Sequence, residues 1–440
     1  MDAAVPEAPL PLSSPRRLKT PSREMLLKKF QAQEQRSVIW LGLELFVILA
    51  GLAWWVAQPP GLPDWQSALL FSGGFLGLFD FVLGVFMTNR KALEDVRPDA
   101  RLGVHTRDSL LAATRRVQEK LGLGRHRVRV YLAGEKDVNA YALRLEMLPG
   151  WRLFNSVQLN RSILHLLDEQ ELESVIGHEL GHVFPYSPLA SRCLLAPALL
   201  SGVLSLVLAH ALRDYDLYVG APLLAIGVAR WAAFSTWASQ IRLVEFLCDD
   251  LGARASGLLP AMRVEMKLAL ESEARGALME RVIEAKLRHQ HLPIGGLIQD
   301  YENALPFGRV ESAEARTQLE KNLTQRLAEA EQLSVKGLFD YVFKCNDVDE
   351  DVLREDLAKR RRIRQAVKVP VSIKELLAKP GGPSLHECDV LITAIESHPD
   401  HLLVHDIEEV DDTLSTHPNV SRRLLYLWRN FGPGAGKHGA

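Results

Sequence analysis

Two histidines four residues apart flank a glutamate in the segment 168–183, DEQELESVIGHELGHV. Asp168 followed by Glu171 is a capping-box start for a helix. Leu172, Val175, Ile176 and Val183 then recur at helical spacing. On that helix His178 and His182 stand at i and i+4, about 5–6 Å apart at Cβ on one face. Two imidazoles so placed converge on one zinc ion with bonds of ~2.0–2.1 Å. Glu179, one residue further round, faces an open coordination position and can act as a base toward a water there. Gly177 and Gly181 cost the helix stability but leave room for a second element to approach closely.

This HExxH pattern arises by chance in a chain this long on the order of a few per cent of the time, so a third ligand matters. In a metzincin the positions three and six residues after the second histidine are Gly and His; here they are Pro185 and Pro188, which excludes that class. The other common solution is a glutamate from a later helix. The segment 242–254, RLVEFLCDDLGAR, places Glu245 and Asp249 at i and i+4. Glu245 can complete the zinc site. Asp249 can accept the free N–H of a ligand histidine and fix its tautomer. Taken alone, the two are also what a charged helix face looks like.

These residues must be held by elements of two kinds. Net charge is −2, so nothing global points to nucleic acid, yet mean hydropathy is near zero despite 24% charged residues. That balance implies apolar blocks set in ordinary soluble sequence. Residues 38–57 and 67–87 are such blocks, each long enough at ~1.5 Å per residue to cross a ~30 Å hydrocarbon core. Residues 193–212 and 217–237 are two more, the last interrupted by Arg230. They read as two transmembrane helical hairpins. Seven Lys/Arg precede the first block, while the turn after it has none, which puts the N-terminus and the segments 91–190 and beyond 238 in the cytosol. Glu44, Asp80 and Arg230 fall at a shared depth of ~10 Å and are candidates for pairing. Cys193, Cys248, Cys345 and Cys388 form no CxxC pair, which excludes a Cys-rich zinc site and reads as four reduced thiols. The basic run 359–364 lacks interleaved aromatics and reads as a solvated helix face or a contact with anionic lipid.

The remaining elements follow from pattern. Residues 128–133 and 151–159 alternate as strands; residues 107–122, 240–290, 311–345 and 350–368 read as helices. The fold class is mainly α with a small β-sheet, a zincin-like α+β catalytic domain plus the two hairpins. The organisation is a disordered basic tail (1–37), hairpin 1 (38–90), the first catalytic part with the HExxH helix (91–190), and hairpin 2 (191–238). A second catalytic part with Glu245 (239–294), the stretches 295–410 and 411–430, and a flexible tail (431–440) complete it.

The order NAYAL (139–143), DEQELESVIGHELGHV, EFLCD (245–249) and STHP (415–418) resembles the membrane-integrated gluzincins, the HtpX-like and CAAX-prenyl endopeptidases, with the HtpX-like branch the nearer. The resemblance covers residues 38–290 and 411–430, and implies that 411–430, with STHP, is the last catalytic segment and 295–410 an inserted helical region. It implies one Zn2+ per chain on His178, His182 and Glu245, with Glu179 as catalytic base and Asp249 behind the ligands. It also implies His417 near the metal, as an oxyanion donor or a cap on the zinc, and Arg423 beside it. Cys248 stands where the family usually has Ala, which suggests thiol sensitivity. The expected activity is a zinc-dependent membrane metalloendopeptidase cutting protein or peptide substrates at a cytosol-facing site, in membrane-protein quality control, with substrate added as a strand along 151–159. It would be an integral protein of the inner or plasma membrane, with the lipid bilayer as partner, no nucleic acid, and oligomeric state open. The rivals are a CAAX-type prenyl-protein endopeptidase and a catalytically inactive membrane adaptor.

Overall fold

The computed structural model describes residues 21–57, 64–74, 90–133, 138–146, 152–189, 195–212, 218–287, 296, 301, 303–306, 358, 371–397 and 418–433. These begin with α1 (Arg23–Ala57), α2 (Asp64–Gly74), β1 (Arg90–Ala92), β2 (Arg101–Leu102), β3 (His105–Thr106) and α3 (Arg107–Lys120). Then come β4 (Arg129–Ala133), β5 (Ala140–Glu146), β6 (Arg152–Asn160), α4 (Arg161–Leu166) and α5 (Glu169–Val183). Next are α6 (Leu195–Leu212), α7 (Ala221–Ser256), α8 (Leu258–Leu287), α9 (Ile373–Leu377), α10 (Leu385–Ser397) and α11 (Val420–Phe431). The described chain is mostly helical with a small sheet.

The capping box at Asp168 forms: Glu171 N–H donates to Asp168 Oδ1 at 2.9 Å, and Asp168 N–H to Glu171 Oε2 at 2.9 Å. It fixes where α5 starts, and with it the phase of His178 and His182. One face of α5 packs on the sheet, where Leu172, Ile176 and Leu180 join Leu132, Val157 and Leu159 in a fully buried core.

The sheet runs β1–β4–β6–β5. The two expected strands appear as β4 and β6, but β6 is not an edge. It pairs in parallel with β4 and antiparallel with β5, so both its sides are taken. Among the described residues the free edge near α5 is β5, the strand carrying NAYAL. The expectation of an edge at 151–159 is corrected: the open edge is at 140–146.

The tail expected to be disordered to residue 37 is helical from Arg23. The reason is a buried stripe at i, i+4: Leu26 and Phe30 enter a core with Tyr186, Val244, Leu247 and Tyr426. Phe30 meets Tyr186 edge-on at 5.8 Å, and Leu189 N–H donates to Glu34 Oε1 at 3.1 Å. Beyond residue 37, α1 turns apolar and outward-facing: Ile39, Trp40, Phe46, Leu49 and Val56 are exposed. Its most apolar window has a mean hydropathy of 2.0 with 11% buried, and among the described residues it is the one helix long and apolar enough to cross a membrane. Helices α1, α2, α6 and α7 pack on one another. Residues 58–63 and 75–89 of the first expected hairpin, 213–217 of the second, the Asp80 and Arg230 side chains, and, apart from residue 358, the expected helices at 311–345 and 350–368 lie outside the described residues.

Residues 371–397, within the region expected as an insertion, share one core with α8 and α11. Ile373, Leu376, Leu391 and Ile395 pack with Met262, Met266 and Leu424.

Candidate metal centre

Helices α5 and α7 cross where both are small. A Cβ on Gly181 would lie 2.7 Å from Cys248 Sγ, and one on Gly177 would lie 2.9 Å from Ala255 Cβ. From the other side, a Cβ on Gly252 would lie 2.8 Å from Ser174 O. Backbones that approach this closely bring the α7 carboxylates to the α5 imidazoles. His178 Nε2 and His182 Nε2 are 3.2 Å apart. Glu245 Oε2 is 3.4 Å from His178 Nε2, and Glu245 Oε1 is 3.4 Å from His182 Nε2.

Those separations carry chemical meaning. Donors at ~2.0–2.1 Å around a tetrahedral zinc stand about 3.3 Å from each other. The three groups thus match a shared divalent ion in type and spacing. The surroundings also call for positive charge: Glu245 is 2% exposed and Glu179 7% exposed. Burial lowers the His178 pKa, but hydrogen bonds and charge from Asp249 and Glu245 overcome it and push the ring up to about 10. Buried carboxylates on both sides of the His178 ring give the pocket a negative charge that suits a cation.

Behind the histidines lies a chain of ion pairs. His178 Nδ1 meets Asp249 Oδ1 at 2.9 Å, which leaves Nε2 for the metal side. Arg423, from α11, donates Nε to Asp249 Oδ2 at 2.8 Å and Nη2 to Asp249 Oδ1. Its Nη1 reaches Glu265 Oε2 on α8 at 2.7 Å. Burial raises the Asp249 pKa, but Arg423 and His178 outweigh it and hold the carboxyl below its usual range. Burial raises Glu265 to about 7, against the pull of Arg423.

A cavity of about 670 Å³ opens at the centre, and 138–144, Glu179, Glu265, Val420 and Leu427 are among the residues that line it. The structure thus brings His178, Glu179, His182, Glu245 and Asp249 together; His417 lies outside the described residues. Glu265 was not anticipated. It carries no motif, and a lone glutamate on a charged helix gives no signal. Cys248 departs from its expectation: it is fully buried against Gly181, and burial with the nearby Glu245 and Asp249 raises its pKa well above that of a free thiol. A buried, protonated thiol is not reactive.

The family model described as Peptidase family M48 matches residues 105–429, a stretch that runs from β3 to α11 and takes in the whole centre. The chain belongs to peptidase family M48. Among individual relatives it is similar to Protease HtpX of Xanthomonas oryzae pv. oryzae, 29% identical over 235 residues, 49% of this chain and 72% of the relative. Protease HtpX of Stenotrophomonas maltophilia is 29% identical over 236 residues, 49% of this chain and 73% of that protein. Protease HtpX of Xanthomonas axonopodis pv. citri is 32% identical over 150 residues, 34% of this chain and 45% of that protein. No solved structure matches the chain.

Proposed function

We propose that this chain is a membrane-embedded zinc metalloendopeptidase whose one Zn2+ is held by His178, His182 and Glu245. The observation that carries the reading is the set of 3.2, 3.4 and 3.4 Å separations among the three donor groups. When bound, zinc supplies a Lewis acid that polarises the scissile carbonyl and lowers the pKa of water toward ~7. Glu179, which lines the cavity, takes the proton of the attacking water and passes it to the leaving amine nitrogen. Asp249 holds the His178 tautomer that leaves Nε2 free for the metal. The open edge of β5 hydrogen-bonds an extended peptide along 140–146 and presents it to Glu179. His417, assigned by resemblance alone, is a donor to the oxyanion.

The exposed apolar face of α1 supports a bilayer around it, and the apolar runs 67–87, 193–212 and 217–237, whose helices α2, α6 and α7 pack with it, are the other proposed spans. The basic residues before the first span favour a cytosolic centre. Glu245 follows the last apolar run, ending near residue 237, by eight residues, ~12 Å of helix. Cytosolic segments of membrane proteins fit that placement as substrates, and quality control of such proteins fits as the role.

The test is Glu179→Gln in purified full-length protein. The variant should keep one zinc per chain, by metal analysis, and lose casein cleavage by at least about 100-fold. Cleavage at the wild-type rate would remove Glu179 from its role, and a wild-type protein that holds no zinc would remove the reading altogether.

A further inference from the structure

Arg423 stands between two carboxylates, Asp249 and Glu265, and it is Asp249 that contacts a histidine. Asp249 takes two of its nitrogens and passes the effect to His178 Nδ1. The third nitrogen, Nη1, meets Glu265 Oε2 at 2.7 Å. Both side chains are enclosed, with Arg423 13% and Glu265 8% exposed. A guanidinium has a fixed planar fork, so holding Nη1 fixes the plane in which Nε and Nη2 meet Asp249. Three helices contribute one member each: α7 gives Asp249, α11 gives Arg423, α8 gives Glu265.

We propose that Glu265 is a positioning residue for the metal centre: by anchoring Arg423 at Nη1 it sets the orientation of Asp249 and, through it, the aim and donor strength of the His178 ring. The inference rests on the metal reading of the site. A buried arginine deprived of one of its two carboxylates is free to turn toward the cavity or to pull Asp249 off the imidazole. Either movement loosens His178 without touching a ligand. Outer partners of ligand histidines typically change metal affinity by about 10–100-fold. Glu265 acts one bond further out, so its removal belongs at the lower end.

The measurement is zinc affinity of the purified full chain by chelator competition, alongside the melting temperature of the zinc-free protein. Glu265→Met, similar in volume but without an acceptor, should weaken zinc about tenfold. Glu265→Gln keeps an acceptor for Nη1 and should recover most of that loss, to within about threefold of wild type. In an Asp249→Asn background, Glu265→Met should cause no further loss, because the path to His178 is already cut. Full additivity in that background, or a Glu265→Met protein that melts lower but binds zinc as wild type does, would reduce Glu265 to a tie between α8 and α11. If Glu265→Met does not fold, Glu265→Gln decides alone: a tenfold loss with the acceptor in place overturns the positioning role. His178→Ala separates this from the metal reading itself. If it retains zinc, the reading fails; if it loses zinc while the Glu265 variants do not, only the present inference fails.

Discussion

At the residue scale the centre is built from groups that are tolerable only together. Asp249 is buried with its negative charge opposed by Arg423 and its Oδ1 engaged by His178. Asn at this position keeps the shape but removes the charge and leaves Arg423 to Glu265 alone. We expect Asp249→Asn to weaken zinc by about 10–100-fold, read by chelator competition, with Glu265 unchanged in the same chain. Cys248 offers the opposite case, a group whose chemistry the fold suppresses. Its thiol is fully buried and its pKa raised, so maleimide should leave it unmodified in folded protein and modify it after denaturation, by mass spectrometry of the peptide. The histidines and Glu179 were legible in the sequence because a helix converts a spacing of four into one face. Glu245 and Asp249 were legible for the same reason. Glu265 and the Arg23–Asp250 contact at 3.0 Å were not: they pair residues 158 and 227 positions apart, and no periodicity marks such a pair.

At the element scale the crossing of α5 and α7 decides whether the proposed ligands His178, His182 and Glu245 meet. Alanine at Gly181 favours an isolated helix by about 1 kcal/mol. Here its Cβ would lie 2.7 Å from Cys248 Sγ and 3.2 Å from Cys248 Cα, and a fully buried neighbour cannot step aside. Overpacking of this kind costs about 1–3 kcal/mol, so the clash wins. Gly181→Ala should lower the melting temperature and weaken zinc, and Cys248→Ala in the same chain should restore part of both. The N-terminal part of α1 makes a second case. Phe30 is 8% exposed, and Phe30→Ala should cost about 3 kcal/mol, seen as a lower melting temperature. Composition concealed this segment: prolines and basic residues dominate the stretch before residue 22, while the Leu26–Phe30 stripe is only two side chains long. Likewise β5 was seen as a motif and not as a strand, since an edge strand need bury only part of one face and AYALRLE alternates weakly.

At the scale of the whole molecule, two helices join the apolar bundle to the metal centre. Hydropathy changes near residue 238, where the sequence suggests a boundary between hairpin and catalytic part. The backbone does not follow it: α7 continues from Ala221 to Ser256, 36 residues or ~54 Å. Hydropathy reports what surrounds a helix, whereas the i to i−4 hydrogen bonds report where it ends, and the two need not coincide. Helix α1 is built alike, 35 residues with its apolar end in the bundle and Leu26 and Phe30 against α7. The position of Glu245 is therefore set by a strut that begins among the apolar helices, not by a linker. Ala238→Pro tests this. Proline inside a helix removes a hydrogen bond and collides with the preceding turn, which kinks the axis at a cost of ~3 kcal/mol or more. Seven residues further on, a kink of even 20° displaces Glu245 by ~3–4 Å, more than ten times the ~0.2 Å tolerance of a metal site. The variant should still resist alkaline extraction from membranes, because the apolar helices are intact. Its zinc content and its casein cleavage should fall together, and Ala238→Leu should show neither effect. Zinc retained at wild-type affinity in Ala238→Pro would mean that α5, α8 and α11 hold Glu245 in place without the strut, and that bundle and centre are mechanically independent.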